Sequence, residues 1–226
     1  LQNEYSQQLQ KYIIKLIVEA TCYNLSGIWV NHDTQHHVQS AGVYFVAQYG
    51  KHVFWFGKKD RANWDFANVG YGVIESSDDD EKKTENCDVL SIQWADLPIA
   101  NDKYCGKLRL KIANDYQSMD KIYDSNNIFW GDKWVKKSNV FLDKFDLNVT
   151  SIKWHMSSDK GLSGVWKGNY GGIYVISDMM VKNVRQISWI GYAPNGSWAH
   201  IAFGSIQNKV IKVTWGDLLV AIDRYN

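Results

Sequence analysis

Apolar and polar residues alternate along many short segments of this chain. In one of them Leu90, Ile92 and Trp94 alternate with Ser91 and Gln93. Successive side chains of a strand point to opposite faces, so a period of two predicts a strand with one buried and one solvent-exposed face. We predict such strands near 26–31, 42–48, 52–57, 64–75, 88–95 and 106–112, and again near 163–168, 172–178, 185–192, 198–207 and 210–216, with 219–225 as a further candidate. Glycines and Asn/Asp clusters between them are typical of antiparallel turns.

Two regions depart from this alternation. Leu9, Ile13 and Leu16 fall at helical spacing, which predicts an amphipathic helix over residues 6–21 that packs on the β structure. Membrane lysis by this helix is the less favoured alternative. Residues 114–160 are rich in Asn, Asp and Lys, and we expect one or two strands and long loops there.

Self-comparison reveals an internal repeat. Residues 25–29, Leu-Ser-Gly-Ile-Trp, return as residues 162–166, Leu-Ser-Gly-Val-Trp, and residues 89–97 return as 210–218. Three shorter matches lie between these blocks in the same order. We therefore expect an N-terminal helix over 1–24, a first β repeat over 25–113, a connecting segment over 114–160 and a second β repeat over 161–226. The predicted fold is all-β, an antiparallel β-barrel-like architecture built from an internal duplication.

The Gly-x-Trp at the start of each copy resembles the first-strand motif of calycins, the lipocalin and avidin superfamily. This resemblance rests on residues 27–29 and 164–166, and it implies a small up-and-down barrel that holds a small, largely apolar ligand. In that family a late-strand arginine covers the motif tryptophan; Arg224 is the candidate, because Arg109 alternates with inward leucines. The Thr-Asp-Tyr motif of lipocalins is absent. The tandem Ser-Gly-x-Trp segments are also similar to repeats in uncharacterised secreted proteins.

Three sequons, at Asn24, Asn148 and Asn195, and a first residue other than Met together predict a secreted glycoprotein. If the strands alternate up and down, Cys22 and Cys87 lie at the same end of the structure and Cys105 at the other. We accordingly expect a Cys22–Cys87 disulfide, with Cys105 as a buried thiol.

Charge and motifs restrict the function classes. The 25 basic and 24 acidic residues nearly cancel, so no basic field exists to bind nucleic acid or an anionic membrane. No nucleophile elbow, P-loop, zinc-protease motif or dinucleotide fingerprint is present, so an enzyme is disfavoured and no cofactor is expected. A glycosidase carboxylate pair stays open. The cluster His32, Asp33, His36 and His37 lies in a polar loop, and we interpret it as solvated rather than metal-binding.

The candidate ligand residues come from the 11 Trp and 13 Tyr residues. We interpret most recurring rings as core, with Trp94 and Trp215 the clearest cases. The rings of Trp55 and Trp189 stand close to a glycine near a strand end, which suits a cavity mouth or an exposed platform. The leading hypothesis is a non-catalytic protein that binds a small, largely apolar molecule in an aromatic-lined barrel. The alternative is a lectin with two sites. The candidate site residues are Trp55, Trp189, Tyr44, Tyr174, Asp96 and Asp217.

Overall fold

The structure is a computed structural model that describes residues 24–35, 38–59, 66–76, 87–99, 104–139 and 161–218. The predicted helix over 6–21, the candidate strand over 219–225, Cys22, Asn148 and Arg224 lie outside the described residues.

The described chain consists of antiparallel strands. They are β1 (Gly27–Asp33), β2 (Val38–Tyr49), β3 (His52–Lys58), β4 (Ala67–Glu75), β5 (Val89–Asp96), β6 (Cys105–Ile112), β7 (Ser118–Asp124), β8 (Lys133–Ser138), β9 (Gly164–Lys167), β10 (Ile173–Val181), β11 (Val184–Tyr192), β12 (Ala199–Gln207) and β13 (Val210–Leu218). The all-β class is confirmed, and the strands lie within a few residues of the predicted positions. The connecting segment supplies both β7 and β8.

Strands β1 to β8 form a closed up-and-down barrel in chain order. The barrel closes because β8 pairs with β1, where Lys136 lies opposite Trp29. Trp29, Trp55 and Trp134 are fully buried inside it. Large rings therefore fill this interior, as they do in small barrels.

Strands β9 to β13 form a separate five-stranded sheet, which packs one face on the outside of the barrel. Val175, Ile190 and Ile201 belong to the same buried cluster as Phe54 and Phe56 of β3. Strand β3 is consequently buried on both faces, with Trp55 inside the barrel and its neighbours against the second sheet. This accounts for an apolar run without a period of two.

The repeated tryptophan makes the same bond in both copies. The indole N–H of Trp29 donates to the carbonyl of Leu25 at 2.8 Å. Trp166 donates to the carbonyl of Leu162, also at 2.8 Å. The motif glycines have φ values of 143° and 142°, a region that L side chains rarely adopt. The motif thus encodes the same local conformation twice.

The repeated serine also has equivalent roles. Ser26 Oγ accepts a hydrogen bond from the backbone N–H of Gln48 at 2.9 Å. Ser163 Oγ accepts the corresponding bond from Asp178 at 2.9 Å. Each serine therefore fixes the first strand of its copy to the second strand.

A lysine covers the tryptophan of the first motif. Lys136 Nζ lies 5.6 Å from the centroid of the Trp29 ring and donates to the carbonyl of Asn24 at 3.0 Å. Burial lowers the pKa of this ammonium group. The sequence search for a late-strand arginine missed it, because β8 had not been assigned.

The repeated tryptophans Trp94 and Trp215 differ in their exposure to solvent. Trp94 is buried, but Trp215 is 61% exposed, so its assignment to the core was wrong. The reason is that β9 to β13 form an open sheet, in which the face equivalent to the barrel interior is not enclosed. Cys105 carries a free thiol, which is half-buried and not fully buried as predicted. The Cys22–Cys87 disulfide stays a prediction.

Candidate functional site

The candidate residues of the two copies occupy equivalent cross-strand positions. In the barrel one row of paired residues is Trp29, Tyr44, Gly57, Asn68 and Asp96. In the second sheet the equivalent row is Trp166, Tyr174, Gly191, His200 and Asp217. The next row pairs Trp55 with Gly70 and Trp94 in the barrel, and Trp189 with Ala202 and Trp215 in the second sheet. Matching registers are what a duplication predicts.

Glycines in these rows make room for rings. A Cβ added at Gly191 would lie 2.6 Å from Nε2 of His200 and 2.8 Å from Cε1 of Tyr174. In the barrel, a Cβ at Gly57 would collide with the Tyr44 ring, and one at Gly70 with the Trp55 indole. Each of these glycines therefore leaves space for the ring of a cross-strand neighbour, and a side chain at the glycine would displace that ring.

In the first copy the barrel encloses these rings. Trp55 is 0% exposed and Tyr44 is 1% exposed, so the predicted cavity mouth at Trp55 is wrong. The Tyr44 and Trp55 rings meet edge to face with their centroids 5.3 Å apart. The reason is closure: β8 brings Trp134 against Tyr44, and the β7–β8 loop brings Phe129 against Trp55.

Asp96 ends the row in the barrel and is largely desolvated. Burial raises its pKa to about 7, while the hydrogen bond from the backbone N–H of Tyr104 at 3.1 Å acts in the opposite direction. Burial and the charge of Asp96 both raise the pKa of the Cys105 thiol. Burial likewise raises the pKa of the Tyr44 phenol above its usual range. Asp96 is therefore a proton-binding group at one end of the barrel.

In the second copy the equivalent surface is accessible. We call it the open face: the side of the β9–β13 sheet turned away from the barrel, carrying Trp166, Tyr174, Trp189, His200 and Trp215. Trp166 is 48% exposed and Trp215 is 61% exposed. These two residues lie on the two edge strands, β9 and β13.

Between the edge tryptophans the rings form a continuous cluster. Trp198 stacks on His200 with centroids 5.2 Å apart and an interplanar angle of 4°. The ring centroid of Tyr174 lies 5.7 Å from that of His200 on one side. The ring centroid of Trp215 lies 6.0 Å from that of His200 on the other. Burial lowers the pKa of His200, and the charge of Asp217 partly offsets this. The imidazole is therefore neutral at pH 7 and can both donate and accept a hydrogen bond.

The structure divides the six predicted ligand residues. It brings Tyr174 and Asp217 together in one row of the open face, with Trp189 half-buried in the next row. Tyr44 and Trp55 lie in the barrel interior, and Asp96 lies at one end of it. Sequence reasoning did not select Trp166 or Trp198 as site residues, although Trp166 ends the repeated segment 162–166.

An ion pair stands on the open face near the β10–β11 turn. Arg185 Nε donates to Asp178 Oδ1 at 2.8 Å, and the Asp178 side chain also accepts the backbone N–H of Leu162 at 2.7 Å. The two charged side chains bond to each other, and Asp178 also holds the backbone of Leu162 just before β9. We therefore interpret this pair as stabilising the start of β9.

In the described part of the chain, no group of three His, Cys, Asp or Glu side chains is arranged to hold a metal ion. Within those same ranges, no helix has the length and apolar character that crossing a membrane requires.

No known protein family matches this chain, and no curated protein or solved structure was found to be similar to it.

Proposed function

We propose that this is a secreted, non-catalytic binding protein that holds a carbohydrate on the open face of the second sheet. One observation carries the proposal: the row of rings that the barrel seals in the first copy is accessible in the second. Trp166 and Trp215, each about half exposed or more, are large apolar surfaces of the kind that marks interaction sites.

The chemistry of the open face favours a sugar over a purely apolar molecule. The C–H face of a sugar ring stacks on an indole, and its hydroxyl groups need nearby donors and acceptors. His200 and the half-buried Asp217 carboxyl group supply these beside the rings. A wholly aliphatic ligand would leave both polar groups unmatched.

The width of the sheet favours an extended glycan. Trp166 and Trp215 lie on strands separated by three others, which at strand spacing is about 19 Å across the sheet. This distance exceeds a single sugar ring, so an oligosaccharide contacts both edge tryptophans more readily than a monosaccharide does.

The proposal has one site per chain rather than the two predicted for a tandem lectin. The equivalent residues of the first copy, Tyr44 and Trp55, lie inside the barrel. The prediction of a small apolar ligand in the barrel is a second candidate, because the interior is closed and lined with rings.

Secretion is supported by the positions of two sequons. Asn24 and Asn195 are both exposed, as a glycan acceptor must be. Treatment of the natural protein with a glycan-removing amidase should lower its mass by at least one glycan. An unchanged mass would argue against secretion through a glycosylating pathway.

A glycan array followed by calorimetric titration tests the carbohydrate site. Replacing the exposed ring in Trp215→Ala should weaken binding of a glycan found on the array at least tenfold, about 1.4 kcal/mol. The matched control is Trp130→Ala, which removes a tryptophan that is 78% exposed on a barrel loop and should leave the affinity unchanged. If no glycan binds, or if both variants lose affinity equally, the proposal fails.

A further inference from the structure

The loop between β7 and β8, residues 125–132, places a ring at the centre of the barrel. Phe129 is 5% exposed, whereas its neighbour Trp130 is 78% exposed. The Phe129 centroid lies 4.8 Å from that of Trp94 and 5.7 Å from that of Trp134. It also lies 6.1 Å from Trp55. One loop side chain thus fills the space that rings from several strands surround.

Several polar atoms inside the barrel lack partners among the described residues. Within those residues the buried indole nitrogens of Trp55, Trp94 and Trp134 have no hydrogen-bond acceptor, and neither the side-chain nitrogen nor the side-chain oxygen of Asn31 is bonded. Buried polar groups are normally paired, and leaving one unpaired is costly. We call the barrel interior, which Phe129 enters, the chamber. It holds four such side chains beside the apolar Phe129 ring, which indicates a poor chemical match between the loop and the barrel.

Two of these side chains stand directly beside the loop. A Cβ added at Gly106 would lie 3.0 Å from Nε1 of Trp94 and 2.9 Å from Oγ of the loop residue Ser125. A Cβ at the loop residue Gly131 would collide with the amide of Asn31. Two of the four unmatched side chains therefore lie where the loop meets the barrel, and a third, Trp55, points its indole nitrogen toward Gly70 of β4.

Side chains of β7 hold the backbone of the loop, and Ser125 and Asn126 also join the loop to β6. Asp124 Oδ2 accepts the backbone N–H of Phe129 at 2.9 Å, and Oδ1 accepts that of Asn126 at 3.2 Å. Lys121 Nζ donates to the carbonyl of Phe129 at 2.9 Å. These contacts form a latch that involves none of the rings inside the barrel. These bonds fix the backbone of Phe129, and none of them joins two strands.

We propose that this chamber is a ligand site that the chain closes with its own Phe129. The side chains that line the chamber indicate the class of ligand. We expect a small planar ring, which would stack on the aromatic side chains, with hydrogen-bond acceptors on its edge that would pair with the indole N–H groups. It enters as Phe129 leaves. The site is separate from the open face, and it departs from the predicted ligand, which was largely apolar.

Matched ring probes test the chemistry. In the full chain, Phe129→Ala opens a space of about one phenyl ring, and binding of benzene and of pyridine is measured by tryptophan fluorescence at pH 8. Adding Trp94→Phe removes one N–H and keeps a ring. We expect the affinity ratio of pyridine to benzene to fall about tenfold in the double variant, since one hydrogen bond to a buried donor contributes roughly that much. An unchanged ratio, or no binding of either probe to folded Phe129→Ala, overturns the proposal.

The latch provides a test that keeps the chamber intact. Asp124→Ala removes both carboxylate bonds and should increase the population in which the loop is open. Pyridine should then bind at least tenfold tighter than to the unaltered protein. Asp120→Ala is the matched control, because Asp120 is on the same strand and its pairing with Lys133, at 3.5 Å, is exposed; it should bind as the unaltered protein does. If the folded Asp124→Ala protein binds no tighter, Phe129 is a fixed core residue and the proposal is wrong.

Discussion

Replacing Asp96 by Asn should remove a pH-dependent loss of stability. The folded protein holds this carboxyl with a pKa of about 7, against an ordinary value of 3.8, because burial disfavours its charged form. Asn has nearly the same shape and keeps an amide oxygen that can accept the backbone N–H of Tyr104. The substitution therefore changes the charge with little change in packing.

The sign follows from proton binding. Between about pH 4 and pH 7 the unfolded chain has lost the Asp96 proton while the folded chain keeps it. The free energy of unfolding consequently falls as the pH rises, by up to about 1.4 kcal/mol per pH unit. Across the whole window this amounts to roughly 2 to 4 kcal/mol. In Asp96→Asn this contribution is absent, so the variant should be more stable than the unaltered protein at pH 8 and similar to it at pH 4.

Urea unfolding followed by tryptophan fluorescence, at pH 4, 6 and 8, measures the difference between the two proteins. Groups other than Asp96 titrate in both proteins, so their contributions to the free energy of unfolding cancel in that difference. Cys105→Ala is the control: burial and Asp96 raise the pKa of this thiol, so it does not ionise in this range and the fall should persist. If the unaltered protein is no less stable at pH 8 than the Asn variant, the assignment of a desolvated carboxyl is refuted.

Three further outcomes are expected. The Cys105 thiol should react slowly with a disulfide reagent at pH 7.5, because burial and the nearby carboxylate raise its pKa, and Asp96→Asn should speed the reaction; equal rates would contradict this. Burial lowers the His200 pKa, so a titration followed by NMR should give a midpoint below 6.5, and a higher midpoint would show a solvated ring. Trp94→Ala should cost about 3 to 5 kcal/mol of stability and Trp215→Ala less than about 1 kcal/mol, although the two are equivalent in the repeat; comparable losses in denaturation would mean that the open face is covered.

Local patterns determined much of the fold. Alternation gave the strands, because the period of two is a property of the backbone itself. The Leu-Ser-Gly-x-Trp repeat gave the duplication, since its bonds run within the motif or to the adjacent strand, as in Trp29 to Leu25 and Ser26 to Gln48. The row positions of Tyr44 and Tyr174 follow from the same matching order of blocks.

What covers each face was decided by tertiary structure. Alternation shows which side chains share a face, but it does not show whether later strands enclose that face. Strands β7 and β8 close the first copy and bury Trp55, whereas β9 to β13 remain an open sheet and leave Trp215 in water. Lys136 over Trp29 and Phe129 within the barrel depend on the same closure, which joins residues that are far apart in the chain. Equal sequence motifs thus acquired unequal surroundings, because burial depends on contacts distant in sequence.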